Sequence, residues 1–360
     1  MGLRVNFAKL TVLGVIAAAV AYGLERVFEP VPGGSLMLPM VFWIGLAEGC
    51  VAIIAAAEIA HASWHRSIAR QLLSAYPMIL VIGLFFVVLA TQVDMYPWAG
   101  EHGAYLNRTF FIARHLVMIV VLFAVARQFA RECMRGRGAR RTWGVIYILL
   151  FMIHQSMVGF EWVMSLETPW FSTLFGAWFT VGAFLSGICA GALVLYSRRQ
   201  RFDSALRYTQ KSIGGLMFGF STFWAYFYFS QLIVIWYGNL PEETSYLAER
   251  IGYNTPYWFL ARLVFALCWV IPFSVLLGRK PKRTPVATLA MALTIYAGLI
   301  LQSWLMIHVS VGVHPIPAAI DFAMMAFLFL GIMRSADGFL PREATVLPAV
   351  SDEDTARVHP

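Results

Sequence analysis

The chain has 360 residues, 60% of them hydrophobic and only 13% charged, with a mean hydropathy of +0.70. That balance excludes a soluble single core and points to an all-α, polytopic helical membrane protein, while the strand alternation of an outer-membrane barrel is absent. The net charge of +8 comes from basic residues in short connections between apolar segments, so it reads as a topology signal and not as a nucleic-acid surface.

In chain order, runs able to cross about 30 Å of hydrocarbon lie near 8–23, 36–60, 72–91, 109–128, 143–164, 175–196, 212–237, 257–277, 286–307 and 316–333. Basic clusters occupy every second connection: Arg66 and Arg70; Arg127 through Arg141; Arg198 through Lys211; and Arg279, Lys280, Lys282 and Arg283. The intervening loops carry Glu25 and Glu29, Asp94 and Glu101, Glu167, and Glu242, Glu243 and Glu249. The positive-inside rule then places both termini in the cytoplasm and the acidic loops outside. Arg4 and Lys9 ahead of Ala17 to Ala19 also fit a signal peptide, whose cleavage would leave nine spans in the same orientation. The tail after Met333, with Pro341, Pro348 and Asp352 to Asp354, lacks apolar periodicity and reads as a cytoplasmic extension.

Cys50, Cys189 and Cys268 fall within spans and Cys133 in a cytoplasmic loop, with no CxxC, no CxxCH and no iron-sulfur spacing. No covalently bound redox centre is encoded. Non-covalent haem b would need facing histidines, for which only His115 and His154 have suitable depth.

A charge at mid-bilayer costs roughly 2.5–3.5 kcal/mol on insertion scales, so Glu48, Arg114, Arg262 and Asp321 require a cause. Span direction puts Arg114, His115, Arg262 and Asp321 in the outer half. His154 and Glu161, seven residues apart, share one face of the fifth span, with Glu161 outermost and His154 near the midplane. Glu48 is central on the second span, and Glu58 and His61 lie near its cytoplasmic end. Glu48, His154, Glu161, Asp321, Glu58 and His61 are therefore proton-relay candidates, with Arg114, Arg262 and His115 tuning or gating them. The alternative makes Arg114 and Arg262 structural partners of Glu161 or Asp321 and lets Glu58 and His61 reach water at the interface.

On the seventh span, Thr222, Tyr226 and Ser230 follow at intervals of four, with Gln231 beside them and aromatic residues around. This stripe could line a quinone ring or waters, or pack as ordinary aromatic bulk. After it, the exit loop Asn239 to Ile251 reads as a short amphipathic helix, with Pro241 in its first turn and Glu242 and Glu243 at its positive end, an acidic contact surface for a periplasmic partner.

Residues 159–176, GFEWVMSLETPWFSTLFG, and 217–244, MFGFSTFWAYFYFSQLIVIWYGNLPEET, resemble the NrfD-like membrane subunits of bacterial alternative complex III, a quinol to cytochrome c or oxidase electron-transfer complex. The FSQxxxxWYxNxPEE-type ending of the seventh span is more similar to the subunit called ActF than to its paralogue ActC. The resemblance implies two antiparallel four-helix bundles, within 36–164 and 165–307, flanked by a first span with its loop (1–35), a last span (308–333) and a tail (334–360). It also implies a bacterial inner-membrane location and the lipid bilayer as surroundings. The implied partners are a periplasmic iron-sulfur subunit, multihaem cytochrome c subunits, a paralogous NrfD-like subunit and a terminal oxidase, with haem and clusters held by those partners alone. ActC-like members are thought to receive quinol, such as menaquinol; ActF-like members are associated with proton conduction. The family pattern would have Asp at Glu161, a change that keeps an acid, and His at Pro169, a change that removes an imidazole from this loop. Rival functions are a quinol-binding subunit, with a lateral pocket lined by His115, Asp321 or the seventh span, a secondary transporter and a passive anchor. Pro241 and Pro272, near span ends, offer little to the broken helices a transporter needs.

Overall fold

The computed structural model describes residues 6–28, 33–100, 103–136 and 138–341. Arg4, Glu29, Glu101 and the tail beyond Pro341 lie outside them. The described residues form helices and turns without a strand, and ten helices are long and apolar enough to cross a bilayer. These spans are Phe7–Phe28, Gly34–Ile59, Arg66–Met95, Arg108–Met134, Arg140–Glu167, Phe175–Ser197, Ser204–Gly238, Trp258–Leu276, Pro285–Val311 and Pro315–Arg334. Most exceed the apolar runs because charged and polar residues continue the helices into their connections. Cys133 accordingly lies in the last turn of the fourth span, buried, and not in a loop.

Local chemistry sets several boundaries. Asn107 caps the fourth span by accepting from Phe110 N at 2.9 Å, and Asp203 caps the seventh by accepting from Leu206 N at 2.8 Å. Pro241 starts the short helix Pro241–Ile251, with Glu242 and Glu243 in its positive first turn. The fifth span widens into a π turn at Val158–Val163, a form that accommodates an extra residue within a helix. Both Glu161 and its neighbour Trp162 are buried there.

The second to fifth spans pack in a closed four-helix bundle, and the sixth to ninth form another. The second and sixth spans meet at the centre, while the first span rests on the third and tenth, and the tenth on the second. This arrangement explains the apolarity of the central pair: the second span's hydrophobic window is 94% buried and the sixth's 83%, against 28% for the fourth, seventh and eighth. Phe7 and Phe339 lie 5.0 Å apart between ring centroids, Tyr76 donates to Phe339 O at 3.1 Å, and Arg70 donates to Pro341 O at 2.9 Å. Both ends of the described chain therefore meet at the end of the protein that carries the arginine-rich connections.

Candidate functional site

Small residues put a carboxylate at the centre. A Cβ on Gly49 would sit 2.0 Å from Ala183 O, and one on Gly187 2.2 Å from Gly49 backbone, so the second and sixth spans touch main chain to main chain. Glu48, next to this crossing, is fully buried and faces the fifth span. His154 Nδ1 lies 2.7 Å from its Oε1, and Gln155 Nε2 donates to its Oε2 at 2.7 Å. Tyr147, two turns earlier on the fifth span, donates to the Glu48 carbonyl at 3.0 Å. The carboxylate and the imidazole thus share one hydrogen position. His154 Nε2 is buried and makes no hydrogen bond among the described residues. A buried orphan of this kind costs about 1–3 kcal/mol, a penalty characteristic of working sites.

The His154 ring approaches His115 at 6.3 Å between centroids. Trp162 Nε1 donates to His115 Nδ1 at 3.2 Å, and His115 Nε2 lies 2.9 Å from Glu161 Oε2. An indole only donates, so Nδ1 is the acceptor and the His115 hydrogen sits on Nε2, directed at the carboxylate. Glu161 also receives Arg114 through Nε, at 3.0 Å, and Nη2, and the Tyr105 hydroxyl at 2.7 Å. The Arg114 guanidinium carbon lies 4.2 and 4.5 Å from the centroids of the Tyr105 and Phe110 rings, which meet edge-on at 77°. Burial and the adjoining Glu161 raise the Tyr105 pKa above its usual value, which keeps this phenol a donor at neutral pH. The series Glu48, His154, His115, Glu161 therefore runs from mid-protein to a carboxylate compensated by arginine. A cleft of about 540 Å³ opens beside it, bounded by Tyr105, Met152, Ser156, Phe160 and Glu161.

A second cluster sits at the basic end. Glu58 lies 2.9 Å from His65 Nε2 and accepts from Arg140 Nε at 2.8 Å and Cys133 Sγ at 3.6 Å. His61 is not part of it: the second span ends at Ile59, and His61, at φ 55°, is exposed. Glu58 is about 15 Å along the helix from Glu48, and stacked Phe129, Tyr147 and Phe151 occupy the neighbouring layer. Among the described residues, no hydrogen bond joins the two clusters.

Other expected site residues lie elsewhere. Arg262 is exposed, stacked on Tyr253 and Trp258 at 4.3 and 5.1 Å and donating to Trp258 O at 2.7 Å; it neutralises neither Glu161 nor Asp321. Asp321 is fully buried on the tenth span, which packs on the first, second and third spans, away from the Glu161 cluster. The stripe on the seventh span splits: Tyr226 is 61% exposed, Thr222 and Ser230 are half-buried, and Thr222 bonds back to Phe218 O. Only Gln231 is buried, accepting from Ser172 Oγ at 3.2 Å. The cleft beside Glu161 lies on the fifth span and includes neither His115 nor Asp321; a lateral pocket of about 220 Å³ does lie on the seventh span, lined by Tyr228, Phe229 and Leu232 with Ala261, Arg262 and Phe265 of the eighth. Both His115 nitrogens are engaged by protein groups, which leaves none to ligate a haem iron shared with His154.

Sequence reasoning passed over Tyr105, Gln155, Trp162, His65 and Arg140, which complete these clusters, and Arg250, which is fully buried on the short helix. Arg250 donates to Glu167 at 2.8 Å and Ser310 at 2.7 Å and lies 3.6 Å from the Tyr246 ring centroid. Only Gln155 carried a usable signal, an amide adjoining His154 inside an apolar run. No family model matches the chain, and no curated protein matches it either.

Proposed function

We propose that this multi-pass protein is the membrane subunit of a quinol-oxidising respiratory complex, moving protons through buried groups while partner subunits carry the electrons. The observation that supports this reading is the buried series Glu48, His154, His115 and Glu161, with a 2.7 Å carboxylate–imidazole contact at one end, a 2.9 Å contact at the other and rings 6.3 Å apart between them. Acid and base groups at such spacing pass a proton by small rotations or through one water; at His115 the incoming proton takes Nδ1 as the Trp162 indole yields it, while Nε2 gives its own hydrogen to Glu161. At the outer end of the series Arg114 and Tyr105 both donate to Glu161, which orients its carboxylate toward His115. The similarity of residues 159–176 and 217–244 to NrfD-like subunits of the ActF type supplies the respiratory context. The proposed partners are a periplasmic iron-sulfur subunit, multihaem cytochromes, a paralogous subunit and a terminal oxidase.

The test is isolation of the chain with its native neighbours from the bacterial inner membrane. Co-purification with haem and iron-sulfur subunits is expected; recovery of the chain alone, under conditions that preserve other respiratory complexes, contradicts the reading.

One observation favours a second role, as the quinol-binding subunit itself. The cleft of about 540 Å³ next to Tyr105 and Glu161 falls within the roughly 300–1,000 Å³ of small-molecule sites. Quinone extracted with the complex, and lost in Ser156→Trp, would support that role.

A further inference from the structure

A small polar cavity lies where the two bundles meet. It measures about 40 Å³ and is lined by the side chains of Gln155, Ser186, Gln302 and Ser303 among apolar walls that include Phe42 and Leu299. Gln155 and Gln302 are only 2% and 3% exposed, so their amides require partners. Each has one half of its amide committed. Gln155 Nε2 donates to Glu48, and Gln302 Oε1 accepts from Trp224 Nε1 at 3.0 Å. The indole can only donate, which fixes the orientation of Gln302. Gln155 Oε1 and Gln302 Nε2 remain, and neither makes a hydrogen bond among the described residues.

We infer that this cavity is a built water site joining the two bundles, in which bound water donates to Gln155 Oε1 and accepts from Gln302 Nε2. Size and chemistry select the occupant. A cavity needs roughly 10–15 Å³ to hold a water and about 150 Å³ to hold a benzene ring, so one or two waters fit and a quinone ring does not. The amide hydrogens of Gln302 oppose a cation. The Ser186 and Ser303 hydroxyls spend their hydrogens on Ala183 O at 2.7 Å and Leu299 O at 3.1 Å, leaving lone pairs to accept from the water.

The consequence rests on the proton-handling role proposed above. Gln155 donates to Glu48 while that carboxylate is ionised. When Glu48 takes a proton, a turn of the Gln155 amide lets Oε1 accept from it and presents NH₂ to the water. The water then accepts from both amides and turns its freed hydrogen to a Ser186 or Ser303 lone pair, so the orientation of the water between the bundles follows the charge state of Glu48.

The test is a map of the full chain in lipid nanodiscs, within its complex, at a resolution that shows ordered water. Wild type is expected to show one or two water peaks within hydrogen-bond distance of both Gln155 Oε1 and Gln302 Nε2. Gln302→Leu removes the anchored peak. Gly182→Ala, whose added Cβ would meet Leu299 at 3.5 Å and Trp224 at 3.9 Å in ordinary contact, narrows the cavity without unfolding the protein and loses at least one peak. A dry cavity in wild type, or peaks unchanged in both variants, overturns the inference. The two readings separate cleanly. A dry cavity with proton release that depends on Glu48 defeats the water site alone; ordered water with proton release indifferent to Glu48 defeats the relay alone.

Discussion

Trp162 fixes the tautomer of His115. The indole Nε1 donates to His115 Nδ1 at 3.2 Å, so the only histidine hydrogen lies on Nε2, facing Glu161 at 2.9 Å. In the proposed relay this N–H is already aimed at the Glu161 carboxylate. The Trp162 ring is itself stacked on Phe86, 5.3 Å between centroids and 17° between planes, which holds the donor in place.

Trp162→Phe keeps that stack and removes the donor. Nitrogen chemical shifts of His115 are expected to show one tautomer in wild type and a mixture in the variant. Stability should fall by about 1–3 kcal/mol for the unsatisfied Nδ1. A single Nε2–H tautomer in both proteins would show that another group sets it.

The close approach of the second and sixth spans predicts a steep cost for one methyl group. Gly49→Ala and Gly187→Ala place a Cβ about 2 Å from backbone atoms that no side-chain rotation can relieve. Each should destabilise by about 3 kcal/mol or more, at the upper end for overpacking. Gly23→Ala, with nothing within 4 Å of the added carbon, should be neutral or stabilising by up to about 1 kcal/mol. Thermal unfolding in detergent separates the two cases.

Arg250 anchors the short helix Pro241–Ile251 to the fifth and ninth spans through Glu167 and Ser310. Arg250→Met should cost about 2–4 kcal/mol, somewhat below a fully buried ion pair because Glu167 is partly exposed. Hydrogen exchange of residues 241–251 should accelerate while that of the second span does not change.

On the buried face of that helix, burial pushes the Tyr246 pKa up to about 12 although nearby Arg250 opposes the shift. The folded state therefore holds this proton when the unfolded chain, near 10, has lost it. Stability from this group is complete below pH 10 and declines as pH rises toward 12. Exchange of residues 241–251 should show an alkaline step across that interval, absent in Tyr246→Phe.

The ten spans and the short helix were legible because hydrophobic length, loop charge and proline placement are local properties. Glu48 stood out for the same reason, as a carboxylate in a long apolar run. His154 was placed at the same midplane depth, but its contact with Glu48 and the part played by Gln155 were not legible, because they lie 106 and 107 residues away and the crossing at Gly49 and Gly187 brings them together. Glu58 and His61 part company because the second span stops at Ile59; the chain then turns His61 outward, as its interfacial reading had it, and returns His65 to Glu58. Arg262, expected among the buried charges, is exposed, and Arg250, which the sequence did not single out, is fully buried. An apolar span does not reveal which of its faces is covered, and a basic last turn on a short helix ordinarily faces water.

The central claim is that Glu48 and Glu161 carry protons for the assembled complex. The most direct measurement is proton release coupled to quinol oxidation in liposomes containing the intact complex, comparing wild type with Glu48→Gln and Glu161→Gln. The relay predicts a loss of about 10²-fold or more in coupled proton release, the scale set by removing a positioned acid–base group, with subunit composition unchanged. Proton release and quinol oxidation equal to wild type in both variants would contradict it.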